Sequence, residues 1–173
     1  MKILKTPLKD LLIIKSKQFY DDRGYFRELI REVNVKQKFV FNIVSFSKKN
    51  VVRGLHYQST QPQAKFISVV KGKILDVAVD LRKNSKTFGK VFKKIISSKN
   101  LLGVLIPKGF VHGVVILENN KILINFCSSE YNPKKEFGIN IKSINLKFPK
   151  MKLYISNKDK NLIELNKFIK KTK

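Results

Sequence analysis

Short runs of β-branched and aromatic residues, broken by Gly, Pro, Asn and Lys, dominate the chain. Strands are predicted over 11–14, 39–46, 66–70, 74–81, 91–96, 101–106, 114–117 and 122–127. The intervals leave little room for crossover helices, which argues against a parallel α/β sheet and for an antiparallel sandwich or jelly roll. Lys71-Gly72-Lys73 reads as a hairpin turn between two of these strands. Helical periodicity is weak until the end, where Leu162, Ile163, Leu165, Phe168 and Ile169 predict one short helix from about Asn161 onward. A second candidate helix covers 32–38. No repeat, low-complexity tract or linker interrupts residues 1–173, which read as a single domain.

Composition supports folding: 43% hydrophobic and 28% charged residues are ordinary globular values. One cysteine, Cys127, excludes an internal disulfide and a cysteine-rich zinc site, and a reducing compartment, the cytoplasm, is the expected location. No apolar run reaches bilayer-spanning length, and the first residues lack the apolar core of a signal peptide, so no membrane partner is expected. The net charge of +25 raises the question of nucleic acid. Only Arg23, Arg27, Arg31, Arg53 and Arg82 among the 37 basic residues are arginine, and the lysines are scattered rather than clustered. That pattern disfavours nucleic-acid recognition and suits a small anionic ligand drawn into a cleft.

The two histidines, His56 and His112, each follow a glycine closely. Gly103-Val-Leu-Ile-Pro107-Lys-Gly109-Phe-Val-His112 resembles the second motif of the cupin barrel, in which a tight turn carries a histidine into the mouth of a small jelly roll. Two histidines cannot assemble the His-rich metal site of metal-binding cupins. Metal-free, cofactor-free chemistry with a histidine base is therefore expected.

Longer segments match in order: Asp22-Arg-Gly-Tyr-Phe-Arg-Glu28, Ser47-Lys-Lys-Asn-Val-Val-Arg-Gly-Leu-His56-Tyr-Gln58, Lys71-Gly-Lys-Ile-Leu-Asp-Val-Ala-Val-Asp-Leu-Arg82, Thr87-Phe-Gly89, Ile106-Pro-Lys-Gly-Phe-Val-His-Gly113 and Glu130-Tyr-Asn-Pro133. With these, the chain resembles the dTDP-4-dehydrorhamnose 3,5-epimerase family from the first strand to about residue 160. The resemblance implies an all-β cupin jelly roll with a short C-terminal helix. It also implies an epimerase acting at C3, or at C3 and C5, of a nucleotide-linked 4-keto sugar for polysaccharide synthesis. In such enzymes a base removes a proton beside the ketone and the enolate is reprotonated on its other face. His56 matches the family's base, Asp159 its partner carboxylate, and Lys65 the lysine near the C4 oxygen. Arg53 is expected in the same pocket, holding the sugar or the diphosphate. Gln58, His112, Asn125 and Tyr131 are further candidate substrate-binding residues, with a structural role at the turn equally open for His112. Arg23 and Glu28 match residues that the family contributes to a neighbour's ligand through an exchanged N-terminal strand, so a homodimer is expected.

The departures narrow the reading. Asn125 stands where the family commonly carries its proposed acid, a tyrosine, and an amide cannot donate a proton on a catalytic timescale. Water, Tyr131 or another group is left as the acid, and one proton-transfer site instead of two is the expectation. Phe41-Asn42-Ile43 replaces the family's Gln-Asp-Asn segment, and tryptophan is absent. A dTDP or a GDP carrier, and a 6-deoxyhexose or a heptose, therefore stay open. A 3,4-ketoisomerase and a non-catalytic sugar-nucleotide-binding cupin are the alternatives; a base with an orienting carboxylate and an oxyanion cation argues against the second.

Overall fold

Strands covered on both faces cannot alternate apolar with polar residues, and this explains the continuous apolar runs. The computed structural model describes residues 1–146 and 152–172. Its strands are β1 (Lys2–Lys5), β2 (Leu12–Lys15), β3 (Lys17–Asp21), β4 (Gly24–Glu28), β5 (Phe41–Ser47), β6 (Val52–Gln58), β7 (Lys65–Lys71), β8 (Lys73–Asp80), β9 (Val91–Ser97), β10 (Leu102–Ile106), β11 (Phe110–Ile116), β12 (Lys121–Cys127) and β13 (Glu136–Gly138). The helices are α1 (Glu32–Val35), α2 (Asn157–Lys160) and α3 (Leu165–Thr172). A six-stranded sheet runs β1-β2-β10-β7-β12-β5, a five-stranded sheet runs β13-β6-β11-β8-β9, and β3-β4 form a separate ribbon. All strand pairings within these sheets are antiparallel, giving the jelly roll that the strand spacing predicts.

Ile67 and Val69 of β7, Ile74 and Ala78 of β8, Val104 of β10 and Phe110 of β11 fill the space between the sheets. The alternate residues of β8 and β11, Val77, Val79, Val111 and Val115, pack on the other side against Leu55, Ile139, Ile141 and Leu165. Each such aliphatic side chain contributes about 1.5–3 kcal/mol when taken out of water. α3 covers this second layer with Phe168 and Ile169 and turns its lysines outward. No helix among the described residues is long and apolar enough to cross a membrane.

Several expectations need correction. Gly72 is not a hairpin turn within one sheet: β7 and β8 lie in opposite sheets, and Gly72, at φ +90°, turns the corner between them. A Cβ there would strike the Lys121 side chain. The motif around Arg53 to His56, for which no strand is predicted, lies within β6, next in the chain after β5. His112 sits on β11 rather than in the preceding turn, which Gly109 makes at φ +89°. α1 is one turn only, ended by Lys36 in the left-handed region at φ 51°. The C-terminal helix begins at Leu165, four residues after Asn161.

Candidate active site

β6 carries an irregularity that sets the site. His112 faces His56 and Val114 faces Arg53, so one residue of β11 opposes two of β6. Strict alternation would send Arg53 and His56 to opposite faces; the bulge brings both to the same chamber. It requires glycine on both strands. Gly54 sits at φ +105°, where a Cβ would lie 2.6 Å from the His112 carbonyl oxygen, and a Cβ on Gly113 would lie 2.5 Å from that of Arg53.

The bulge also receives the partner of His56. The Val52 amide donates to the Tyr154 carbonyl at 2.9 Å, lashing the C-terminal segment to the start of β6. Ser156 then caps α2 by accepting from the Asp159 amide at 3.1 Å. Asp159 is buried, with Oδ1 2.6 Å from His56 Nε2 and Oδ2 3.5 Å from the Gly54 amide. An ionised carboxylate only accepts, so Asp159 holds the imidazole proton on Nε2 and leaves the Nδ1 lone pair free. Glu136 lies beyond Nδ1 with Oε1 at 3.7 Å, too far for a hydrogen bond. Its Oε2 accepts from the Tyr131 hydroxyl at 3.3 Å and pairs with Lys158.

His56, Arg53, Lys65, His112, Asn125 and Tyr131 all line one chamber of about 190 Å³. It opens at Ser45, Arg53, His56 and Asn125 into an outer groove of about 760 Å³ whose other wall carries Lys152, Lys158 and Lys160. Burial holds the Lys65 ammonium below its ordinary value, opposed by Cys127 and Glu136. Burial likewise raises the Cys127 thiol. Arg53 is pinned to β5, donating from Nε to Ser47 Oγ at 2.9 Å and from Nη2 to the Phe46 carbonyl at 3.3 Å. His112 Nε2 lies 2.8 Å from Asp76 Oδ2, a second buried histidine–carboxylate pair.

Other candidates lie elsewhere. Gln58 is buried and bonds Gln61, Glu130 and Asn132, bracing the loops around the chamber rather than lining it. Arg23 and Glu28 stand on the β3-β4 ribbon, paired locally with Asp21 and Arg31 at 2.6 Å each, and line no part of the chamber. Glu136 is a chamber-lining residue that sequence reasoning misses; pairing of β13 with β6 sets it beside the histidine's strand. Asp76 is missed as well, although its position on a strand pointing inward with Ile74 and Ala78 is a signal of a paired interior carboxylate.

Comparison with known proteins gives this geometry its context. The family model described as dTDP-4-dehydrorhamnose 3,5-epimerase matches residues 5–167. The chain belongs to the dTDP-4-dehydrorhamnose 3,5-epimerase family. The dTDP-4-dehydrorhamnose 3,5-epimerase of Shigella flexneri is 38% identical over 170 residues, spanning 93% of this chain and 94% of that protein. The crystal structure of a Legionella pneumophila dTDP-6-deoxy-D-glucose-3,5-epimerase in complex with dTDP-4-keto-L-rhamnose matches at TM-score 0.91 and 35% identity, covering 99% of this chain and 96% of that one. A 3′-monoepimerase from Streptomyces bikiniensis in complex with dTDP-quinovose matches at TM-score 0.88 and 25% identity, covering 95% and 88%. Like other members of the dTDP-4-dehydrorhamnose 3,5-epimerase family, the protein is an epimerase of nucleotide-linked 4-keto sugars, acting at C3 or at C3 and C5. For that reaction the chamber offers a free imidazole lone pair, a cation and bound hydroxyl and amide groups within one small space.

Proposed function

We propose that the protein epimerises C3 of a dTDP-linked 4-keto-6-deoxy sugar in cytoplasmic synthesis of polysaccharide precursors, with His56 as the base. The observation that carries this reading is the 2.6 Å contact of Asp159 with His56 Nε2, which leaves Nδ1 as the acceptor in the chamber shared with Lys65. The ketone at C4 acidifies the C3 proton, His56 Nδ1 takes it, and the Lys65 ammonium offsets the charge that develops on the C4 oxygen. Asp159 steadies the imidazolium that results. Arg53 and the lysines of the outer groove suit a diphosphate, and the apolar wall formed by Phe41, Ile43 and Leu123 suits a methyl-bearing sugar.

A homodimer completes the reading. Phe19, Tyr20, Tyr25 and Phe26 of the β3-β4 ribbon are 56%, 75%, 55% and 69% exposed, an aromatic surface that a second copy would cover. Such an arrangement would carry Arg23 and Glu28 toward the neighbour's ligand. The test is incubation of dTDP-4-keto-6-deoxyglucose in deuterated water with NMR analysis of the product. Deuterium at C3 alone is expected. Label at both C3 and C5 would assign two sites, a displaced carbonyl would assign a ketoisomerase, and no label would remove the catalytic reading.

A further inference from the structure

The wall that the six-stranded sheet gives the chamber is graded along its strands. Lys65 of β7, Cys127 of β12 and Phe41 of β5 stand abreast, since Cys127 pairs with both of the others. Two residues along β12, Asn125 pairs with Ile67 and Ile43; two further, Leu123 pairs with Val69 and Ser45. Lys65, Cys127 and Phe41 line the chamber alone, whereas Ile43, Ser45 and Asn125 line both the chamber and the outer groove. The rows therefore run from the floor of the chamber to its throat. Four residues of strand separate the row of Lys65 from that of Ser45, about 13 Å, which is the reach of a pyranose ring with a hydrogen bond at each end.

Two polar side chains at the throat lack partners within the protein. Ser45 lines the chamber, yet its buried hydroxyl has no hydrogen-bond partner among the described residues. The Asn125 amide, with Ile67 and Ile43 across its two neighbouring strands, makes no hydrogen bond among them either. The two are diagonal neighbours on one face of paired strands, close enough to meet a single ligand group. An amide and a hydroxyl together can both donate to and accept from one alcohol. With the C4 oxygen at Lys65 and the diphosphate leaving past Arg53, C1 lies at the throat, and the sugar's hydroxyls on C2 and C3 are the candidates. The C3 hydroxyl changes direction when C3 inverts, so a wall that gripped it would favour one epimer and oppose the reaction. The C2 hydroxyl keeps its direction and lies between C1 and the reacting carbon. We propose that Ser45 and Asn125 bind the C2 hydroxyl of the sugar and so select 2-hydroxy over 2-deoxy substrates. His56 enters from β6 of the opposite sheet, so the pair holds the ring against the base without moving a proton itself. The inference rests on the proposed epimerase reading, with Lys65 at the C4 oxygen.

The test compares deuterium entry at C3 of dTDP-4-keto-6-deoxyglucose and of its 2-deoxy analogue, using wild type, Ser45→Ala, Asn125→Leu and the double variant. Wild type is expected to favour the 2-hydroxy sugar at least ~30-fold in kcat/KM, because the analogue leaves two polar groups unpaired. Each single variant is expected to lower that preference at least ~5-fold, and the double variant to abolish it. Comparing preferences between variant and wild type cancels the inductive effect of the missing oxygen on the acidity of C3. A wild-type preference below ~5-fold would overturn the proposal, and that result depends on no variant folding. So would variants that are slower on both sugars but keep the wild-type preference, which would make these side chains part of the framework only. Wild type that labels neither sugar would overturn the epimerase reading itself, an outcome distinct from equal labelling of both.

Discussion

A carboxylate bonded to one imidazole nitrogen decides what the other can do, and the site is arranged around that fact. Asp159 fixes the proton on Nε2 of His56, and the chamber is left with a neutral nitrogen as acceptor. Lys65 shows the cost of the same chamber: its ammonium is desolvated, and burial depresses its proton affinity. Lys65→Met should therefore raise the thermal midpoint by a few degrees while abolishing epimerisation. The sign on the pH axis follows as well. A cation needed for catalysis and held below its ordinary value is lost early as pH rises, so the alkaline limb of kcat should fall below the usual lysine range. Lys65→Arg, if it retains activity, should move that limb upward. His56 was legible as a candidate residue from its scarcity and its glycine-led motif, but Lys65, one lysine among many, and Asp159, more than a hundred positions from its partner, only through resemblance to a family. Glu136 follows Lys134-Lys135 in a stretch that reads as an ordinary solvated surface, and nothing local signals its strand pairing.

The bulge in β6 brings Arg53 and His56 to one chamber and accounts for much of what the sequence pattern conceals. Alternation fails across Arg53-Gly54-Leu55-His56 because one residue is inserted, so this strand does not read as a strand at all. By contrast β8 stands out, since the facing sheet on one side and the C-terminal layer on the other bury both its faces, whereas β11 was legible only over its second half. The Gly72 turn was legible as a turn but not as a corner, because a reversal within one sheet and a crossing between two require the same glycine. Gly54→Ala should destabilise by about 1–3 kcal/mol and lower kcat, since the added Cβ meets the His112 carbonyl and shifts Arg53 and His56 together; thermal melts and turnover check it. The loop after β8 makes a second case. Burial raises the Asp80 carboxyl, but bonds from Arg82, Ser85 and Thr87 outweigh it and hold the group at about 2, below the ordinary 3.8. A carboxylate lowered on folding contributes stability that is complete above about pH 5 and is lost as pH falls toward 2. Asp80→Asn should lower the thermal midpoint at pH 7 by roughly 5–10 °C, and its gap to wild type should close near pH 2.

The +25 charge acts on the whole molecule rather than on any one contact. It draws a dianionic sugar nucleotide toward a groove that carries Lys152, Lys158 and Lys160. Raising the salt concentration from about 10 mM to 300 mM should lower kcat/KM by about tenfold and leave kcat unchanged, because screening slows encounter and not proton transfer. The aromatic ribbon predicts a dimer by sedimentation, and Phe26→Asp, which puts a charge on that surface, should shift the equilibrium toward monomer. On the proposed reading, residue, bulge and field serve one event, removal of a proton from carbon beside a ketone by His56. The direct measurement is deuterium incorporation at C3 of dTDP-4-keto-6-deoxyglucose by wild type and by His56→Ala, with circular dichroism confirming that the variant is folded. Loss of incorporation at least ~1,000-fold in a folded variant is the predicted result. Incorporation by folded His56→Ala within tenfold of wild type would contradict it.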